Sequence, residues 1–325
     1  MVPLSILDLV RVTEDTDQRA ALDNARDLAR RAERWGYQRF WVAEHHNISS
    51  IASAATAIVI SHVAAGTDTI RVGAGGIMLP NHSPLVIAEQ FGTLALLFPG
   101  RIDLGLGRAP GTDQLTLRAL RRLPGAAENF PHDVLELKAL LAPPHPDQAI
   151  HATPGAGTQV PLWILGSSHF GAVLAAELGL PYAFASHFAP QQLMTALELY
   201  RSRFKPSDQL ERPYAMIGAN IIAADSDQEA RRLWTTQQMS FVGLLRNEPR
   251  GLSKPPIHDI DVYWTPDERA RVSQMLSCSI IGSQATVRAG IETLLAETQA
   301  DELIVVSDVY DHAARLRSFE LIAGA

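Results

Sequence analysis

Short runs of β-branched and aliphatic residues alternate with longer stretches in which apolar residues recur at every third or fourth position. The short runs fit strands buried on both faces, and the longer ones fit helices with one apolar stripe. Eight strands are expected, at residues 4–10, 39–43, 70–74, 101–106, 162–165, 182–185, 216–223 and 302–306. Between them, Ala21, Leu22, Ala25, Leu28, Ala29 and Ala32 mark a helix over 20–35, and Pro84 opens another over 84–97. Each intervening segment is long enough to cross back over a sheet. An unbroken series of eight βα units predicts an α/β fold, a closed (β/α)8 TIM barrel, in preference to an open doubly wound sheet. A single domain over 1–325 is expected, with insertions at about 121–160, around a helix at 133–141, and at about 246–300. The second insertion begins with the proline-rich stretch 246–264, a surface segment whose length makes it a candidate lid.

Composition narrows the class. With 46% hydrophobic and 19% charged residues the chain has ample material for a core, which excludes a disordered or fibrous protein. Lys+Arg number 28 against 35 Asp+Glu, a net charge of −7, and no basic cluster exceeds two residues, so nucleic acid is not an expected partner. One cysteine, Cys278, excludes an intrachain disulfide and suits a reducing compartment, the cytoplasm by default. The N-terminus has no basic region before its apolar run, and the weakly polar stretch 51–66 is too short for a bilayer, so no secretory signal or membrane span is expected.

In barrels the chemistry gathers at the C-terminal ends of the strands. Strand two ends in Glu44-His45-His46-Asn47, where alternation should turn at least one side chain to the mouth as a base or a metal ligand. A packing role within the loop is the alternative. Strand three leads into Gly73-Ala74-Gly75-Gly76, which either admits a flat ligand or merely turns, and then to Asn81 and His82. Strand four enters GLGRAPG, whose third glycine is one place late for a dinucleotide loop; what remains is Arg108, a phosphate ligand or a rim ion pair. Ser167 and Ser168 open the helix after strand five, as caps or as an anion site, and Ser186-His187 ends strand six. His45, His46, His82 and His187 are possible metal ligands, but no complete ligand set is legible, so no metal is expected. Glycines under a ring, Arg and Ser on a phosphate, and histidines at the reactive edge together fit flavin mononucleotide (FMN).

The strings WVAEHHN at 41–47, VGAGGIMLPNHSPLVIAEQFGTLALLFPGRIDLGLGRAPG at 72–111 and WILGSS at 163–168 resemble, in order, segments of the bacterial luciferase-like flavin monooxygenases. The likeness extends to the final DELIVV strand and is strongest to the MsnO8-like single-subunit branch. It implies a barrel that takes reduced FMN from a separate flavin reductase. There the flavin reacts with O2 through a C4a-hydroperoxide, which oxidises a small organic substrate such as an aldehyde. It also implies a homodimer. Carried over by position, His45 is the catalytic base with Glu44 and His46 beside it, and Gly75-Gly76 is a non-prolyl cis peptide beneath the isoalloxazine. Arg108, Ser167 and Ser168 bind the phosphate. Two departures stand out: Gly107 replaces a reactive cysteine, and His132 replaces a second phosphate-side arginine. Coenzyme F420 in a reductase, or flavin held without turnover, are the alternatives on the same barrel.

Overall fold

The computed structural model describes residues 2–122, 125–249 and 251–325. Residues 123, 124 and 250 fall inside the two expected insertions and lie outside the described residues. Among the described residues nine strands form: β1 (Leu4–Asp8), β2 (Arg39–Val42), β3 (Arg71–Met78), β4 (Ile102–Gly107), β5 (Leu162–Gly166), β6 (Tyr182–Phe184), β7 (Ala215–Ala224), β8 (Ser279–Ser283) and β9 (Glu302–Val306). Eight of them close a parallel barrel in the order β1-β2-β3-β4-β5-β6-β7-β9, and β9 pairs back onto β1 with Ile6 opposite Val305. This is the (β/α)8 barrel expected from the alternation of strand and helix patterns.

Two details differ from expectation. β3 does not stop at Ala74 but continues through Gly75 and Gly76 to Met78, with a register shift against β4 between Ala74 and Ile77. β8 was not foreseen. It pairs with the C-terminal half of β7 (Asn220 opposite Ser279, Ala224 opposite Ser283), while the N-terminal half of β7 holds β6 and β9 in the barrel. Residues 246–300 thus contain a helix at Pro266–Met275, a further strand and a helix at Gln284–Thr298.

Inside the barrel the N-terminal layer is ionic. Arg39 bridges Asp103 (2.8 Å) and Glu302 (2.8 Å), Tyr214 donates to Glu302 and Trp41 to Asp103, and both acids are fully buried. The two carboxylates hold the guanidinium charged against its desolvation. Position at the N-terminal end marks this network as structural. Above it Trp41, Trp163 and Tyr214 pack edge to face, with ring centroids 5.1 and 5.7 Å apart.

Outside, helix Gln18–Arg34 is capped by Asp17 and buries Ala21, Ala25, Leu28, Ala29 and Ala32, the stripe its sequence spacing predicts. Helix Pro84–Leu97 receives the first insertion: an added Cβ on Gly92 would lie 2.0 Å from the Cα of Gly155. Residues 251–264 are pinned at the rim, where Ser253 bridges Thr13 in the loop after β1 and Thr235 and Thr236 of helix Asp227–Leu245 hold Ile257 and Lys254. Among the described residues no helix is long and apolar enough to cross a membrane.

Candidate active site

Alternation along each strand decides which side chains reach the barrel axis. Trp41, Trp163, Ala183, Met216 and Val306 cluster inside the barrel. Continued by twos, the same faces bring His45, Ser167, His187, Asn220 and Asp308 to the mouth. Contacts agree with this placement. An added Cβ on Gly218 would meet His187 Nδ1 at 2.3 Å, and the His187 imidazole senses both Asp308 and His45. Burial pushes the His187 pKa down to about 4, with His45 acting in the same direction and Asp308 against it. Its Nδ1 is buried without a hydrogen-bond partner.

The glycines of β3 and β4 pack closely against their neighbours. A Cβ on Gly75 would come 2.7 Å from Leu7 Cδ1, and one on Gly105 would come 2.6 Å from Leu165 Cδ1. At Gly105 the added Cβ would also lie 2.3 Å from the backbone oxygen of Ala74, so only glycine fits there. The peptide joining Gly75 and Gly76 is cis, as the family resemblance implied.

Glu44 and His46 follow the opposite parity, that of the outward-packing Phe40 and Val42, and therefore stand behind the wall. Glu44 is fully buried; its Oε1 accepts from His46 Nε2 (2.7 Å), His82 Nε2 (2.9 Å) and Asn81 Nδ2 (3.3 Å), and its Oε2 from the Met78 amide (2.9 Å). Burial alone would raise this carboxyl. The hydrogen bonds from His46, His82 and Met78 overcome it and hold the pKa at about 2. Of the Glu-His-His triplet, only His45 is aimed at the mouth. The four histidines considered as a metal set are likewise split: His45 and His187 lie in the mouth, and His46 and His82 meet at Glu44 behind it.

The loop after β4 is clamped over the ends of β2 and β3. Asn81 Nδ2 donates to Pro110 O (2.8 Å), Thr112 Oγ1 to His46 O (3.2 Å), and His45 Nδ1 lies 3.4 Å from Gly111 O. Gly111 makes the turn in the left-handed region (φ 63°). That clamp places Arg108, whose exposed guanidinium lies 4.1 Å over the ring of Phe170 in the first turn of helix His169–Leu178. Ser168, the N-cap residue, makes no side-chain capping bond, so the capping alternative is not realised and the helix start is left without a side-chain cap. Ser167 and Ser168 are thus brought together with Arg108. His132 is exposed on helix Phe130–Leu141, and no hydrogen bond or ion pair joins it to Arg108 among the described residues.

Sequence inspection missed Asn220, Gln237 and Asp308. Asn220 donates to His187 O (2.6 Å) and accepts from Gln237 Nε2 (2.8 Å), which fixes the backbone under the His187 ring. Following the period-two pattern along β7 and past the end of β9 would have found Asn220 and Asp308; nothing in the sequence marks Gln237. Two surface cavities, of about 340 and 540 Å³, lie against helix Gln284–Thr298 outside the barrel and include no mouth residue.

Residues 2–302 match the model of the family described as luciferase-like monooxygenase. A luciferase-like monooxygenase of Escherichia coli K12 is 54% identical over 321 residues, covering 98% of this chain and 96% of that protein. The chain belongs to the luciferase-like monooxygenase family. Within this family the N-acetyl-S-alkylcysteine monooxygenase of Bacillus subtilis is 35% identical over 71% of either chain. The crystal structure of apo-MsnO8 superposes with a TM-score of 0.92 at 34% identity, covering 100% of this chain and 98% of that one. Two solved structures at lower identity share the luciferase-like fold. One is the oxygenating constituent of 3,6-diketocamphane monooxygenase from Pseudomonas putida in complex with FMN (TM-score 0.73, 18% identity, 99% and 96% covered). The other is an F420-dependent secondary alcohol dehydrogenase (TM-score 0.70, 14% identity, 99% and 98% covered).

Proposed function

We propose that this family member is an FMN-dependent monooxygenase that receives reduced FMN from a separate flavin reductase and uses O2 to oxidise a small organic substrate. The observation that carries the reading is the pairing of His45 and His187 at the barrel mouth, with Arg108 against the first turn of helix His169–Leu178 at its rim. The buried, unpartnered Nδ1 of His187 suits a polar group on a ligand in the mouth. Reduced flavin would supply the electrons and the centre that meets O2.

The chain's own residues position and protect. Gly75 and Gly76 let a flat ring lie against the backbone, and Arg108 with Ser167 and Ser168 takes the phosphate. His45 is the proton-transferring base at the mouth. Glu44 and His46 act through His45, by fixing the loop that carries it. Segment 251–264 lies at the rim to exclude water, anchored through Ser253. Val86 and Leu97 are exposed on one face of helix Pro84–Leu97, and Ile58 is 72% exposed on the adjoining helix Thr56–Ala64, an apolar surface suited to a second copy of the chain.

Anaerobic titrations with reduced FMN and reduced F420, followed by turnover under ¹⁸O₂ with a panel of aldehydes and thioethers, test this. Tighter binding of reduced FMN and label in the product support it. Preference for F420 makes the protein a deazaflavin-dependent reductase, and flavin binding without turnover on any substrate makes it a flavin carrier. H45A should lower turnover by about 100-fold or more while reduced FMN binds within about threefold of wild type.

A further inference from the structure

We propose that Glu44, His46 and His82 form a binding site for a divalent metal ion of the zinc class, behind the barrel wall and separate from the mouth. One ligand atom from each residue lies within 4.8 Å of the others. Two imidazoles and a carboxylate are a donor set that zinc and cobalt favour. The second observation is the charge of Glu44. Its carboxylate is fully buried, yet among the described residues no Lys or Arg pairs with it. Buried charges are paired or coordinate metals.

The geometry has room for the ion. The two Nε2 atoms now approach Oε1 to 2.7 and 2.9 Å, whereas ligands about 2.1 Å from a tetrahedral ion stand about 3.4 Å apart. Each imidazole therefore needs to retreat by about half an ångström, carrying its proton on Nδ1 so that Nε2 faces the metal. Both side chains border solvent, at 17% and 26% exposure, which gives an entry path and an open fourth position for water. Asn81 is tied through Nδ2 to Pro110 O and Glu44, so its amide orientation is set and its buried Oδ1 has no partner. That oxygen is an acceptor for a metal-bound water. The ion would join the end of β2 to the turn after β3, the two segments that flank His45 and the Gly75-Gly76 peptide, without entering the mouth.

Cobalt(II) titration of the chelator-treated full-length protein reads the site directly. The expected result is one equivalent bound with the visible d–d absorption of a four-coordinate nitrogen and oxygen site. H46A and H82A should each weaken binding by at least about 100-fold, beyond the range of outer-shell changes. E44Q, close in shape, should do the same while circular dichroism shows the fold retained. Zinc X-ray absorption of the wild type, which needs no variant, should show two imidazoles and one carboxylate. Absence of saturable one-to-one binding, wild-type affinity in either histidine variant, or a shell without imidazole would each overturn the proposal and leave the cluster a hydrogen-bonded hub.

Discussion

Replacing Glu44 by Gln removes a buried charge while nearly preserving shape, and the structure sets the size of the effect. The carboxyl ordinarily titrates at 4.5 and is held at about 2 in the fold. At 1.36 kcal/mol per pH unit this difference contributes roughly 3 kcal/mol to stability at neutral pH. Because the folded value is the lower one, the contribution is full above pH 4.5 and is lost as pH falls towards 2. Urea denaturation of wild type and E44Q, both with chelator present, should differ by about 3 kcal/mol at pH 7 and by about 2 kcal/mol at pH 3.5. Per-residue unfolding entropies scaled to 325 residues convert the neutral-pH gap into a Tm decrease of about 4–5 °C. If E44Q matches wild type at pH 7, or the gap does not narrow in acid, the hydrogen bonds assigned to Glu44 do not stabilise its charge.

Three further outcomes are expected. His187, with its pKa pushed down to about 4 by burial, should stay neutral at pH 5.5 in imidazole NMR spectra; its contribution to stability is full above pH 6.5 and declines as pH falls to 4, and a midpoint above 6 would contradict its placement in the mouth. R108A should weaken FMN binding by about 10- to 100-fold, the loss of a charged hydrogen bond worth roughly 1.5–3 kcal/mol, with riboflavin affinity unchanged; an equal loss for both ligands would remove Arg108 from the phosphate. G92A drives a Cβ to 2.0 Å from backbone at Gly155, so it should destabilise by about 1–3 kcal/mol, and an unchanged urea midpoint would mean that the first insertion does not pack there.

The barrel was legible because its strands are buried on both faces and read as uninterrupted aliphatic runs between helical patterns. β8 escaped because SIIGS is short and only half-buried, and the partner that makes it a strand, the far half of β7, is about 60 residues away. Glycine misled in β3: Gly75 and Gly76 look like a strand end, yet close packing against Leu7 and Gly105 carries the strand past them. Local sequence placed His45 and Arg108 at strand ends, where the structure finds them. It could not separate Glu44 and His46 from His45 in role, because what separates them is contact with Met78, Asn81 and His82, more than 30 residues further on. His132 carried a positional likeness alone, and no described contact repeats it.

The pairing of β9 with both β1 and β7 also governs when the molecule can close. Ile6 and its partner Val305 are separated by nearly the whole chain. During synthesis at about 5–20 residues per second, the outer edge of β1 waits roughly 15–60 s for the strand that covers it. Throughout that interval the edge of β1, joined for the last roughly 4–16 s by that of β7, presents unpaired N–H and C=O groups able to capture another nascent chain. Truncation before Glu302 would make this open cylinder permanent, so the last strand decides whether the protein stays soluble long before any ligand reaches the mouth.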